Sequence, residues 1–346
     1  DLYRIGFDGG APGRPERLSG GNGTHAVAAA DDCSLYVDTY SDPNQPQQTS
    51  LHDADGKRIR WLLENRLDGS HPYAPYLDTH VIPEFGTIAA EDGSRLHYRL
   101  VRPADFDARR RYPAIVAVYG GPGIQNVSRA WNGLIAEVYA NAGYVVFTID
   151  NRGSARRGVQ FENHLHKKLG DVETRDQLAG IRFLSALPYV DGSRIGVTGW
   201  SYGGYMTVML LAKGGDAIAA GIAGAPVTDW RLYDTHYTER FLGLPAENAN
   251  GYEQSSVFPY LGGIKSALLL IHGMADDNVF FTNSTKLMQT LQRANLPFES
   301  MTYPGETHFI SNRTARLHAD LAGLRFFDRY LRAAPDSGGA LSAGGE

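Results

Sequence analysis

Gly199-Trp200-Ser201-Tyr202-Gly203 places a serine between two glycines, after an apolar run and at the start of a helical pattern. A serine hydroxyl is a weak nucleophile until a base takes its proton. A strand that turns sharply into a helix presents such a hydroxyl above a sheet, and the flanking glycines leave room for the turn. The chemistry that follows is acyl transfer, with Ser201 attacking and the helix N-terminus adding positive potential beside the developing charge. The partners of an elbow serine come in the order acid, then histidine. Of 11 histidines, only His308 and His318 follow a suitable acid. His318 falls inside the last predicted helix, whereas His308 ends the loop Tyr303-Pro304-Gly305-Glu306-Thr307-His308 just past a strand. Active sites on open α/β sheets collect at that edge, so His308 is the expected general base. The acid is expected in Gly273-Met274-Ala275-Asp276-Asp277-Asn278. Spacing does not separate Asp276 from Asp277, and the ordinary role of either is to cap a turn. The oxyanion needs two donors. One is the Tyr202 backbone N–H; the other comes from Tyr119-Gly120-Gly121-Pro122-Gly123, through a backbone N–H or the Tyr119 hydroxyl.

These residues need a scaffold, and the alternation of elements supplies it. A hairpin pivots on Asp92-Gly93, with strands near 87–91 and 95–101. Strands at 114–118, 145–149, 194–198, 219–223, 267–272 and 298–302 then alternate with helices at 129–142, 172–187, 203–213, 283–294 and 312–332. Near-continuous Val, Ile, Leu and Ala runs in the strands mean burial on both faces, hence an α/β fold with a doubly wound, mostly parallel sheet. Leu317, Leu321, Leu324 and Leu331 recur at helical spacing and are expected to face the core. Residues 1–68 read differently, as short strands between turn clusters, about the size of one propeller blade. A single blade cannot bury both faces, so this segment is expected to be the terminal part of a β-propeller in a longer protein. A small β-subdomain packed on the second domain is the alternative. The second domain spans 69–335, and the Gly/Ser/Ala-rich 336–346 is expected to be a flexible tail.

Composition narrows the function. At 42% hydrophobic and 21% charged, the 346 residues have the balance of a globular protein. A net charge of −5 offers no basic field for a phosphate backbone, so nucleic acid is excluded as a partner. No apolar run is long enough to cross a bilayer. A single cysteine, Cys33, permits no intrachain disulfide and no cysteine-based zinc site. His164-Leu165-His166 lacks a third ligand nearby, so no metal is expected. Trp230, Tyr233 and Tyr237 stand at i, i+3, i+7, a spacing that by itself describes a helix face packed in a core. Thr238-Glu239-Arg240 is expected to contain a structural ion pair.

Taken together, three segments carry a resemblance. They are Gly199–Tyr205 with Tyr119-Gly120-Gly121-Pro122, the run Trp230–Phe241, and His272-Gly273-Met274-Ala275-Asp276-Asp277-Asn278-Val279. The set resembles the dipeptidyl peptidase IV group, in its bacterial form, of the prolyl oligopeptidase family of serine peptidases, over about residues 69–335. The resemblance implies an α/β-hydrolase fold, no cofactor, Asp276 as the triad acid and the Tyr119 hydroxyl as an oxyanion donor. It implies that Tyr202, Val227, Trp230, Tyr233, Tyr237 and Val279 line a pocket for proline, and that Asn278 holds the carbonyl of the penultimate substrate residue. An aromatic box suits a rigid apolar ring. It further implies release of Xaa-Pro, and less well Xaa-Ala, dipeptides from peptides with a free N-terminus. A homodimer and a periplasmic or secreted location, with the cytoplasm as the alternative, are also implied. The paired glutamates that grip the substrate amine in that group have no counterpart in residues 1–68. A prolyl endopeptidase, an acylaminoacyl peptidase or an esterase of the same superfamily is the alternative activity.

Overall fold

The computed structural model describes residues 1–8, 11–131 and 134–332; the tail expected at 336–346 lies outside the described residues. Two short ladders, Tyr3–Arg4 with Glu16–Arg17 and Phe7–Asp8 with Ala11–Pro12, come first. An antiparallel meander follows, made of β1 (Thr24–Ala29), β2 (Leu35–Asp42), β3 (Gln45–Asp53) and β4 (Arg58–Leu63), paired in chain order. The β3–β4 turn passes through Gly56 at φ +85°, the positive angle that Asp55-Gly56 predicts for a tight hairpin. Ile59, Leu62 and Leu63 on β4 stay about half exposed.

The second part holds eight strands: β5 (Glu84–Ala89), β6 (Arg95–Val101), β7 (Tyr112–Ala117), β8 (Val145–Ile149), β9 (Val190–Trp200), β10 (Ala220–Gly224), β11 (Ala267–Gly273) and β12 (Glu299–Tyr303). Their order in the sheet is β12-β11-β10-β9-β7-β8-β6-β5. β7 to β12 run parallel, while β5 and β6 form an antiparallel hairpin against β8. This is the α/β-hydrolase sheet expected from the chain.

Alternation along each strand feeds two cores. Ala114, Val116, Val145, Phe147, Leu268 and Leu270 face one, and Ile115, Val146, Leu269 and Ile271 face the other. The first core is covered by α2 (Val172–Ser185) and α3 (Tyr202–Gly214), the second by α1 (Leu134–Asn141) and α6 (Arg313–Leu331). α3 is buried almost all round, which explains its run of apolar residues without a polar face. α4 (Thr235–Leu242) and α5 (Thr282–Arg293) complete the set used below.

The last helix corrects the sequence reading. Leu317 and Leu321 are exposed at 58% and 42%, Leu324 is half-buried, and only Leu331 of the four is fully buried. The core face is instead Ala319, Gly323, Phe326, Phe327 and Leu331. The reason is distance. A Cβ on Gly323 would stand 3.3 Å from Ile222 Cδ1, so the helix approaches β10 through its smallest residues and lets two phenylalanines fill the space beside them. No helix among the described residues is long and apolar enough to cross a membrane.

Candidate active site

β9 ends at Trp200, and Ser201 sits at the N-cap of α3 with φ +62° and ψ −118°. That is a strained conformation for a residue with a side chain, held because both flanks are packed. A Cβ on Gly199 would run into the Gly203 and Val118 carbonyl oxygens, and one on Gly203 into Val118 again. The Ser201 N–H donates to the Gly224 carbonyl at 2.8 Å, and its own carbonyl accepts the Tyr205 N–H at 3.0 Å. The turn therefore has one shape, and Ser201 remains partly exposed in it.

The loop after β11 carries Asp276, and the loop after β12 carries His308. They are tied by Met274 N–H to the Tyr303 carbonyl and Ala275 N–H to the Glu306 carbonyl, both at 3.0 Å. His308 is 3% exposed, and its Nδ1 lies 2.7 Å from Asp276 Oδ2. A carboxylate can only accept there, so Nδ1 carries a proton, and in the neutral imidazole Nε2 keeps the lone pair. The indole Nε1–H of Trp200 donates to the His308 carbonyl at 2.7 Å, fastening the histidine loop to the residue before Ser201. Asp277 is exposed, whereas Asp276 is buried, so of the two aspartates it is Asp276 that meets His308.

A second histidine shares that carboxylate. His272 Nε2 is 3.0 Å from Asp276 Oδ2 and 2.9 Å from the Val279 carbonyl, two acceptors, so it donates. Its Nδ1 then accepts from the Ser284 hydroxyl at 2.7 Å. Asp276 Oδ1 takes the N–H groups of Asn278 and Val279, each at 2.9 Å. Burial works against the Asp276 charge, but the bonds from His272, His308 and Asn278 N–H, with the attraction of His308, outweigh it. The carboxyl is held well below the usual carboxylate range.

The aromatic residues cluster beside Ser201. Tyr202, buried at 2%, has its ring 5.2 Å from Trp230, 5.2 Å from Tyr205 and 5.9 Å from Tyr119. Trp230 stacks on Tyr237 at 5.9 Å and 17°, and Tyr233 meets both edge-on. α4 starts at the N-cap Asp234, whose carboxylate accepts the Tyr237 N–H at 2.8 Å. The Tyr233 hydroxyl donates to Asn278 Oδ1 at 2.8 Å, linking this cluster to the Asp276 loop. Val227 and Val279 are buried in the same core. Among the described residues neither Glu239 nor Arg240 forms the expected ion pair; Arg240 lies over the Phe241 ring at 5.6 Å.

The loop Tyr119–Gly123 is fixed from below. Asn151 Nδ2 donates to the Gly120 carbonyl at 3.0 Å, and Gln177 Nε2 donates to Asn151 Oδ1 at 2.8 Å. Tyr119 is mostly buried, and that burial raises its hydroxyl pKa, so it is a neutral donor.

Comparison with known proteins decides the kinship. Residues 131–334 match the prolyl oligopeptidase family. The chain belongs to that family. Within it, the chain is 34% identical over 333 residues to dipeptidyl peptidase 8 of Homo sapiens, covering 92% of this chain and 37% of that protein. It is 34% identical over 298 residues to dipeptidyl peptidase 4 of Bos taurus, covering 85% and 38%. The crystal structure of Porphyromonas gingivalis dipeptidyl peptidase 4 superposes with a TM-score of 0.87 at 36% identity, covering 92% of this chain and 45% of that one. The chain thus spans less than half the length of these family members.

Three parts of the site escaped the sequence reading. His272 stands four residues before Asp276, a spacing that could have marked it. Trp200 lay inside the quoted motif without a role. Glu173, buried under the Tyr202 hydroxyl, gave no signal at all.

Proposed function

We propose that this protein is a serine exopeptidase that releases Xaa-Pro, and less well Xaa-Ala, dipeptides from peptide N-termini through an acyl-enzyme. The observation that carries the reading is the convergence of a strained Ser201, a buried Asp276–His308 pair and an aromatic box on one sheet edge. In this reading His308 Nε2 takes the Ser201 proton as Oγ attacks the scissile carbonyl, and returns it to the leaving amine. Asp276 keeps the proton on His308 Nδ1 and stabilises the imidazolium. The Tyr202 N–H and the Tyr119 hydroxyl hold the oxyanion. Water then enters and the same steps run in reverse, freeing the dipeptide. Val227, Trp230, Tyr233, Tyr237 and Val279 enclose the proline ring, and Asn278 meets the preceding carbonyl.

The meander β1–β4 supports a companion reading as one blade of a propeller, because the apolar side chains of Ile59, Leu62 and Leu63 stay about half exposed. Residues 1–68 made alone would then lack cooperative unfolding; a sharp two-state melt would contradict the blade.

The deciding experiment compares Gly-Pro-chromophore with its N-acylated twin. Hydrolysis of the free-amine substrate alone supports the dipeptidyl reading. Equal hydrolysis of both moves the activity to a prolyl endopeptidase, an acylaminoacyl peptidase or an esterase.

A further inference from the structure

We propose that Glu173 is a positioning residue for Tyr202 and, through it, sets how strongly the aromatic pocket prefers proline to alanine; this rests on the reading of Ser201 and the pocket given above. Glu173 is the second residue of α2 and is 0% exposed. Its Oε1 accepts the Tyr202 hydroxyl at 2.7 Å and the Gly170 N–H at 2.5 Å, and its Oε2 has no hydrogen-bond partner among the described residues. The nearby Lys213 ammonium does not pair with it. Lys213 donates to the Gly170 carbonyl at 2.8 Å and sits over the Tyr260 ring at 4.0 Å.

A buried carboxyl without a cation is costly. Packing alone would have been served better by an apolar side chain, so its effect lies in what it holds. Tyr202 has two duties: its N–H follows the nucleophile directly, and its ring touches both Tyr119 and Trp230. Ring contacts fix a plane only loosely, because aromatic faces slide at small cost. A hydroxyl bonded to a residue 29 positions away, on another helix, fixes the ring along its length. Removing the acceptor leaves the hydroxyl buried and unpaired, and the ring moves to find another. A shifted wall fits the rigid proline ring worse but matters little to an alanine methyl.

The test measures kcat and KM for Gly-Pro- and Gly-Ala-chromophore, with active sites counted by a serine-directed phosphonate. Glu173→Ala is expected to lower kcat/KM for Gly-Pro by about tenfold and the Pro-to-Ala ratio by about threefold or more. Glu173→Gln keeps an acceptor oxygen and is expected to hold the ratio within about twofold. Tyr202→Phe is expected to lower the ratio as Glu173→Ala does, and the double variant to lower it no further. An unchanged ratio in Glu173→Ala, with both substrates slowed equally, would overturn the proposal. So would additive effects in the double variant. Should Glu173→Ala fail to fold, Tyr202→Phe decides alone, since it keeps the ring and loses only the bond; an unchanged ratio there overturns the proposal as well. A parent protein that takes no phosphonate overturns the reading of the site itself, and this proposal with it.

Discussion

Asp276→Asn is the substitution from which the structure predicts most. The shape is kept, and Oδ1 goes on accepting the Asn278 and Val279 N–H groups at 2.9 Å. The amide NH2 must then replace Oδ2, which faces His308 Nδ1 at 2.7 Å and His272 Nε2 at 3.0 Å. Both of those nitrogens are donors in the parent, so a donor now meets two donors. His308 can relieve its clash by moving its proton to Nε2, but that nitrogen is the one that has to receive the serine proton. By analogy with an aspartate-to-asparagine change in an unrelated serine protease, kcat should fall by about 10⁴, or about 5.5 kcal/mol of transition-state stabilisation. KM should stay within about threefold, because the pocket is untouched. The control is Asp277→Asn, at an exposed position, with kcat within about twofold of the parent. Both are measured on Gly-Pro-chromophore at equal phosphonate-titrated enzyme. More than about a tenth of parental kcat left in Asp276→Asn, or a comparable loss in Asp277→Asn, would refute the reasoning.

The same carboxylate gives a pH signature. Its folded pKa lies below the ordinary value, so its stabilisation is complete above the unfolded pKa of about 3.9 and is lost as pH falls through the folded one. The gap in Tm between the parent and Asp276→Asn should therefore narrow on acidification below about pH 4, as read by calorimetry; a constant gap would contradict it. Gly203→Ala drives a Cβ into the Val118 carbonyl and should cost about 2 kcal/mol or more, seen as a lower Tm together with lost phosphonate labelling. A variant that melts and labels like the parent would show that the turn is looser than described. Phe327→Ala empties a fully buried site between the sheet and α6 and should cost about 3–5 kcal/mol in denaturant unfolding. Leu321→Ser on the same helix should stay within about 0.5 kcal/mol, and a reversal of the two would restore the leucine face to the core.

What the sequence could disclose follows from how local each signal is. Strands β7 to β12 were legible within a few residues because each is a short apolar run between breakers, and a doubly covered sheet demands just that. Ser201 and His308 were legible because their surroundings, a Gly-flanked turn and a loop after a strand, are local. Asp276 and Asp277 were not separable by spacing, since the choice depends on which side chain turns inward to the histidine. The α6 leucines misled because periodicity reports a stripe without saying how near the helix lies to its sheet; Gly323 and Ala319 record that closeness. Helix α4 went unassigned although Asp234 is an ordinary N-cap; of the three aromatic positions that spacing puts on one helix face, only Tyr237 lies on it, with Trp230 in a 3-10 turn and Tyr233 extended between the two. Glu173 was out of reach: its partner is 29 residues away, and a glutamate in the first turn of a helix looks like any solvated one.

That Ser201 is the nucleophile is tested most directly by treating the protein with a serine-directed phosphonate and locating the adduct by peptide mass spectrometry. A single adduct is expected on the peptide containing Gly199-Trp200-Ser201-Tyr202-Gly203, absent in Ser201→Ala. An adduct on another serine, or labelling that survives Ser201→Ala, would contradict it.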